Sequence, residues 1–401
     1  MPRPENPISY ASSGVNYDDL DPFKRTAQLQ AGETSKNILR RGFRVVEESR
    51  GESAQVIDEG DRYSAHVIEG LGTKNLVADE VRLHRLGDQS EIAGMVANYS
   101  GKTHYDVLAQ DTVAMIINDL ITVGADPINL QAYCAVGDSS WFRDEQRSID
   151  LANGFRVAAD LSGANWGGGE TPSLSGIIYP TAIDLGGSAY GIIDPKSRIA
   201  IADEKSGVQS KLKEGDAIVV VESSGIHANG LSLARRIASH IAEQKGSGLP
   251  DAYATELDDG TMFGESLLTP THIYAGLTRD IFDAGIDIHY MVNVTGHGWR
   301  KFMRSPEDLS YVIDRVPDPQ SIFPFIQEHS QSSEKDMYGN FNMGAGFVYF
   351  VPEHQVSMIR EIALSHHNLK ADGVGYVEKG PKRVVIRPKN IEFQGSSLAV
   401  R

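Results

Sequence analysis

Cysteine is nearly absent from this 401-residue chain: Cys134 is the only one. That excludes an intrachain disulfide and a zinc site built from thiolates, and it leaves Cys134, beside Tyr133, as a small packing residue. Long apolar runs are also missing. None reaches the roughly 20 residues a membrane span needs, and "MPRPENPISYASSG" lacks the charged-then-apolar layout of a secretory leader, so a cytoplasmic protein with no membrane partner is expected. Basic residues are scarce: 38 Lys and Arg against 54 Asp and Glu give a formal net charge of -16. Phosphate-backbone binding needs clustered cations, so nucleic acid is excluded as a partner. A small anionic ligand would need backbone amides, a few lysines or a divalent cation to overcome the general repulsion.

What remains is a chain of ordinary apolar content, long enough for two domains. Between about residues 63 and 192, apolar strands ("RYSAHVIEGLG", "INLQAYCAV", "IDLGGSAYGII") alternate with helical patterns at 105–123 and over "RSIDLANGFRVAADLSG". A polar, charged stretch follows, and "AIVVVESSG" opens a second half. It holds helices over "GLSLARRIASHIAEQ", from Thr269 and over "HQVSMIREIALSHH", with strands at "GAGFVYFV" and "KRVVIRP". The expectation is a two-domain α+β or α/β protein divided as 1–197 and 198–401, with irregular structure in the first sixty and last ten residues.

The segment "YDVLAQDTVAMIINDLITVGADP" poses the sharpest question. It is apolar on nearly every side yet carries Asp106, Asp111, Asn118 and Asp119. Buried carboxylates are costly without partners. At about 100° per residue, Asp111 and Asn118 share a face with Met115, and Asp119 points some 80° from Asp111. Two readings of Asp111 stand: an acidic group stabilised near the helix N-terminus, as Asp106 is, or an oxygen ligand for a hard cation. Elsewhere, glycine and polar residues punctuate the chain. "IEGLGTKN" follows a strand, with glycines that let amides approach a phosphate and Lys74 as a mobile charge, but it lacks the GxxxxGK[ST] spacing. "NWGGGETPSLSG" places Glu170 after three glycines, as either a plain turn or a ligand loop. "SSGIHANGLSLARR" places His227 and Asn229 between a strand end and a helix start, where a histidine either orders the loop or meets an anion.

In order, "IEGLGTK", "DVLAQDTVAMIINDLITVGADP", "GGETPSLSG", "GDAIVVVESSGIHANGLSL", "LLTPTHIY", "VTGHGW" and "FNMGAGFV" resemble the aminoimidazole ribonucleotide synthetase family, the phosphoribosylformylglycinamidine cyclo-ligases, over about Ala11 to Val385. The resemblance implies ATP and magnesium as cofactors, a ribonucleotide as the small-molecule substrate, and a homodimer whose first domains build a barrel-like core. The implied reaction is ATP-dependent ring closure of formylglycinamidine ribonucleotide in purine biosynthesis. It further implies metal contacts from Asp106, Asp111, Asn118 or Asp119, and Glu69. Nucleotide contacts would come from Gly70, Gly72, Thr73, Lys74, Gly168, Gly169, Glu170 and Thr171, and His227, Asn229 and Lys74 would stand at the reacting centre. The chain departs from the family pattern in three places. Glu69 stands where the family has Asp, Pro172 and Ser173 follow the Gly-Gly-Glu-Thr motif, and Asn293 to Trp299 replace a His-Ile-Thr-Gly-Gly-Gly-Phe loop. These changes bear on the substrate more than on ATP. They keep open a kinase-like phosphotransferase of the same superfamily, such as a thiamine-monophosphate kinase-like enzyme, and a non-catalytic nucleotide-binding relative. Selenophosphate chemistry is disfavoured because the N-terminal glycine loop has no cysteine.

Overall fold

The computed structural model describes residues 17–86 and 102–398. The first sheet contains β1 (Arg44–Val45), β2 (Gln55–Asp58), β3 (Tyr63–Gly70), β4 (Asp126–Val136), β5 (Asn165–Glu170) and β6 (Ile183–Ile193), in the order β1-β2-β3-β6-β4-β5. Its neighbours run antiparallel except β4 and β5. The second contains β7 (Asp216–Glu222), β8 (Tyr290–Asn293), β9 (Leu309–Ile313), β10 (Ala345–Pro352), β11 (Ala371–Lys379), β12 (Arg383–Ile386) and β13 (Ile391–Gln394), in the order β13-β12-β9-β11-β7-β10-β8. The sheets carry separate halves of the chain, with helices packed on them, as an α+β two-domain fold requires.

The helix Tyr105–Leu120 lies on β3 and β6 of the first sheet. It can come so close because β6 carries glycine where the helix presses. A Cβ on Gly187 would stand 3.0 Å from the Ile116 Cδ1 and 2.2 Å from the Gln131 carbonyl oxygen. The opposite flank of the helix is covered by the helix Glu145–Ser162, where a Cβ on Gly154 would come within 2.4 Å of the Asp106 carbonyl oxygen. Enclosure by a sheet and a second helix explains a segment apolar on nearly every side. In the second sheet, β7 is buried along "DAIVVV", on both faces, which accounts for its unbroken apolar run.

Three expectations about local structure need correction. Residues 17–60 are not irregular: the helix Tyr17–Glu33 and strands β1 and β2 lie there, and β13 lies near the end of the described residues; residues 1–16 and 399–401 lie outside them. The glycine run "NWGGGE" is the edge strand β5, not a turn. The helix expected from Thr269 begins at Ala275. Pro270 disfavours helical geometry at the preceding residue, and the backbone from Thr269 to Tyr274 spends its hydrogen bonds on side chains of the first domain.

Candidate active site

The partners of the buried carboxylate in the helix Tyr105–Leu120 are protein groups. Lys74, at the start of the helix Lys74–Leu86, places its ammonium 2.5 Å from Asp111 Oδ2, and both side chains are fully buried. The other Asp111 oxygen accepts the Thr271 N–H at 2.6 Å. Lys74 completes its donors with the carbonyls of His227 and Thr269, each at 3.0 Å. About two helical turns further on, Asn118 donates to the His272 carbonyl at 2.8 Å and accepts the Tyr274 N–H at 2.9 Å, while Gln110 donates to the Thr271 carbonyl at 2.9 Å. The shared face of Asp111 and Asn118 thus binds an irregular strip of the second domain, replacing its missing secondary-structure bonds. Burial holds Lys74 below and Asp111 above their ordinary ranges, against their mutual attraction.

The structure places the expected site residues as follows. Asp111 and Asn118 have their polar atoms engaged by protein donors and acceptors. Lys74 is fully buried and bonded to Asp111 and to two carbonyls of the second domain. Asp106 is exposed in the first turn of its helix, away from the cleft described below, and the N-cap position belongs to His104. His227 sits at φ +60° with its ring buried; its Nε2 accepts the Ser224 N–H at 3.2 Å, and burial, followed by the charges of His272 and Lys74, keeps it neutral. That bond lies within its own loop.

A cleft of about 320 Å³ opens beside this contact, between the two domains. From the first come Glu69 and Gly70 at the end of β3, and Met115 and Asp119 on the helix Tyr105–Leu120. The second supplies Asn229 after β7, Thr295 to His297 after β8, and Lys301 and Arg304 in the helical turn that follows. Lys24 reaches in from the helix Tyr17–Glu33. Asn229 accepts the Gly296 N–H at 3.1 Å, and Asn293 donates to Asp119 at 2.7 Å, so the glycine loop is tied to both neighbours. Lys301 donates to Thr295 Oγ1 and, at 3.4 Å, to the Asn293 carbonyl.

Charges of both signs meet in this cleft, where Lys301 feels both Asp119 and Glu69. Glu69 and Asp119 bring two carboxylates together, and enclosure, then the Asp119 charge, pushes the Glu69 carboxyl above the ordinary range. Among the described residues no cluster of three or more His, Cys, Asp or Glu is arranged to hold a metal. A magnesium ion that completes its shell with water and phosphate oxygens needs only one or two carboxylates, and this pair fits it. Burial and then Arg300, Lys301, Lys24 and Arg304 push His297 down to about 3.

The remaining expected nucleotide contacts are divided too. Gly72, at φ +75°, turns the chain from β3 into the helix that carries Lys74, and Thr73 meets Ser232 across the domain contact at 3.3 Å. Gly168, Gly169, Glu170 and Thr171 do not line the cleft. The register places Glu170 beside Tyr133, then Gly186, then Gly70, three strand spacings or about 14 Å away. Glycine is needed there for packing: a Cβ on Gly169 would lie 1.9 Å from the Ala132 carbonyl oxygen. Lys24, Lys301 and Arg304 went unread in the sequence. The one available signal was "WRKFMR", where basic residues recur directly after the glycine loop.

Comparison with known proteins places this geometry. Residues 85–193 match the family described as AIR synthase related protein, N-terminal domain, and residues 213–387 match its C-terminal domain. The chain is 30% identical to the phosphoribosylformylglycinamidine cyclo-ligase of Methanococcus maripaludis strain C6, over 92% of each chain. It is 32% identical to that of Methanocaldococcus jannaschii, over 81% of each. Among solved structures, "AaThiL complexed with AMPPCP and TMP" shares the fold with a TM-score of 0.51 at 11% identity, over 86% of this chain and 90% of that one. Both domains and nearly the full length are matched in order, and the chain belongs to the phosphoribosylformylglycinamidine cyclo-ligase family of AIR synthase-related proteins.

Proposed function

We propose that this protein is an ATP-dependent ligase that closes the imidazole ring of aminoimidazole ribonucleotide. ATP phosphorylates the amide oxygen of formylglycinamidine ribonucleotide, a nitrogen of the same molecule attacks the activated carbon, and phosphate leaves with that oxygen. The products are aminoimidazole ribonucleotide, ADP and phosphate. The observation that carries the reading is the interdomain cleft, lined by the carboxylates Glu69 and Asp119 and by converging cations, in a chain matched over 92% of its length by a cyclo-ligase.

Within that cleft, Glu69 and Asp119 would hold magnesium beside the ATP phosphates, and Gly70 would allow its backbone to approach them. Bound magnesium would neutralise charge on the phosphate oxygens. Asn229 fixes the glycine loop through Gly296. Asp111, Asn118 and Lys74 act behind the cleft, holding the strip 269–274 and with it the relative position of both walls. A second copy completes the assembly as a homodimer. Support comes from the open face of the first sheet, where Ile68 is 79% exposed beside Tyr133, an apolar surface of the kind that marks a partner. No helix among the described residues is long and apolar enough to cross a membrane; we assign the enzyme to the cytoplasm on its reaction.

The test is a coupled assay of ADP release with formylglycinamidine ribonucleotide, with thiamine monophosphate and with no added substrate. The reading predicts turnover with the first alone. Turnover on thiamine monophosphate, or equal ADP release without substrate, overturns it.

A further inference from the structure

The segment after β12 has no role in the account above, and the match to the family's C-terminal domain ends before it, at residue 387. Asn390, at φ +50°, turns the chain so that β13 pairs antiparallel with β12 at the edge of the second sheet. Ile391 and Phe393 are buried, and the Arg300 guanidinium stands over the Phe393 ring, 5.9 Å from its centre. The Gly395 N–H then donates to the Lys382 carbonyl at 2.8 Å, and the helical turn Gly395–Leu398 packs on the turn Gly298–Met303. Arg300 fastens this contact. Its guanidinium donates to the Ser397 carbonyl at 3.4 Å and to Asn340 Oδ1 at 3.1 Å, and its Nε is shared between the carbonyls of Gly339 at 2.9 Å and His297 at 3.3 Å. One side chain thus ties the segment to the glycine loop of the cleft. The next residue, Leu398, is 6% exposed and lines that cleft.

We infer that Leu398 is a water-excluding wall of the cleft, which lets ring closure outcompete hydrolysis of the phosphorylated substrate. This rests on the functional reading above. Among the described residues that line the cleft, the apolar side chains are those of Met115, Ala228 and Leu398. Met115 and Ala228 lie within the two stretches matched by the family, and Leu398 lies outside both. The charged groups around them, Glu69, Asp119, Lys301 and Arg304, all hold water readily. Once the amide oxygen carries phosphate, the carbon that bears it can be attacked by the ring-forming nitrogen or by water. In the second case the water oxygen bonds to the carbon and the bond from that carbon to the phosphate oxygen breaks. One water proton returns to the amide nitrogen and the other leaves with phosphate. The starting amide is restored, and ATP has been hydrolysed with nothing made. An isobutyl group offers water no hydrogen bond, and a site that excludes water suppresses this side reaction.

The ratio of ADP released to aminoimidazole ribonucleotide formed tests this on the full-length protein, with formylglycinamidine ribonucleotide and Mg-ATP in ¹⁸O water. The variants are Leu398→Ala, which opens the wall, Leu398→Gln, which keeps its bulk but binds water, and Leu398→Met, which stays apolar; melting temperature controls for folding. The expected ratio is one in the parent and in Leu398→Met, and about threefold higher or more in the other two. Attack at carbon also puts ¹⁸O into the recovered substrate, whereas hydrolysis of ATP at phosphorus puts it into phosphate. A parent-like ratio in both Leu398→Ala and Leu398→Gln overturns the inference, and so does label found in phosphate alone. A slower rate at an unchanged ratio assigns Leu398 to packing and overturns it as well. No ring closure by the parent would count against the functional reading. The wall would then stand if labelling of recovered substrate still rose in Leu398→Ala, and fall if it did not.

Discussion

The ammonium of Lys74 and a carboxylate oxygen of Asp111 stand 2.5 Å apart with neither side chain exposed to solvent, and each also bonds to backbone of the second domain. The pair is therefore an interdomain joint. Removing one partner leaves an uncompensated charge in the interior, at a cost of about 3 to 5 kcal/mol. Lys74→Met is expected to lower the urea midpoint accordingly. The double variant Lys74→Met, Asp111→Asn removes both charges but keeps an acceptor for Thr271, and should recover most of the loss. A single variant as stable as the parent would show that the joint does not hold the domains.

Glu69 and Asp119 carry the magnesium assignment. Glu69→Gln removes one negative ligand and relieves the repulsion that raises the carboxyl. The expected outcome is a magnesium concentration for half-maximal rate at least tenfold higher, with an unchanged melting temperature. An unaltered magnesium dependence would remove Glu69 from the metal site.

Asn229 accepts the Gly296 N–H at 3.1 Å across the cleft. Asn229→Ala should leave stability within about 1 kcal/mol, because one partly exposed hydrogen bond is lost. Release of the glycine loop should lower kcat/KM by at least tenfold. Full activity in steady-state kinetics would mean that the loop holds its position without this bond.

Stability should also depend on acid. Asp79 accepts the Tyr105 hydroxyl at 3.0 Å, and burial raises its carboxyl from 3.8 to about 6 despite Arg147 nearby. A raised carboxyl keeps its proton more tightly when folded, so its contribution is fully present below about 3.8 and is lost as pH rises through about 6. Between those values the unfolding free energy should fall by up to about 3 kcal/mol from this group, and Asp79→Asn should flatten that slope. An equal slope in the variant would assign the pH dependence elsewhere.

Periodicity made the helix Tyr105–Leu120 and the two-sheet division legible, because a buried helix and a fully buried strand such as β7 leave unbroken apolar runs. The helix Tyr17–Glu33 was hidden by its polar sequence and by Pro22 inside it. The carboxylates of the central helix were correctly read as needing partners, but sequence supplies only candidates for them. Lys74 lies 37 positions before Asp111, and Thr271 lies 160 after it. Glu69, Gly70, Asp119 and Asn229 do line the cleft, since each closes a strand or shares a buried helix. The glycines of β5 looked like a ligand loop because close strand pairing and phosphate binding demand the same missing β-carbon. Lys24, Lys301 and Arg304 converge only in three dimensions.

The central claim is that ATP activates the amide oxygen which the ring closure then expels. A single-turnover reaction with formylglycinamidine ribonucleotide carrying ¹⁸O at that amide tests it most directly, by mass spectrometry of the released inorganic phosphate. The account predicts one labelled oxygen in the phosphate for each aminoimidazole ribonucleotide formed. Unlabelled phosphate, with the label left in the substrate or lost to water, would contradict it.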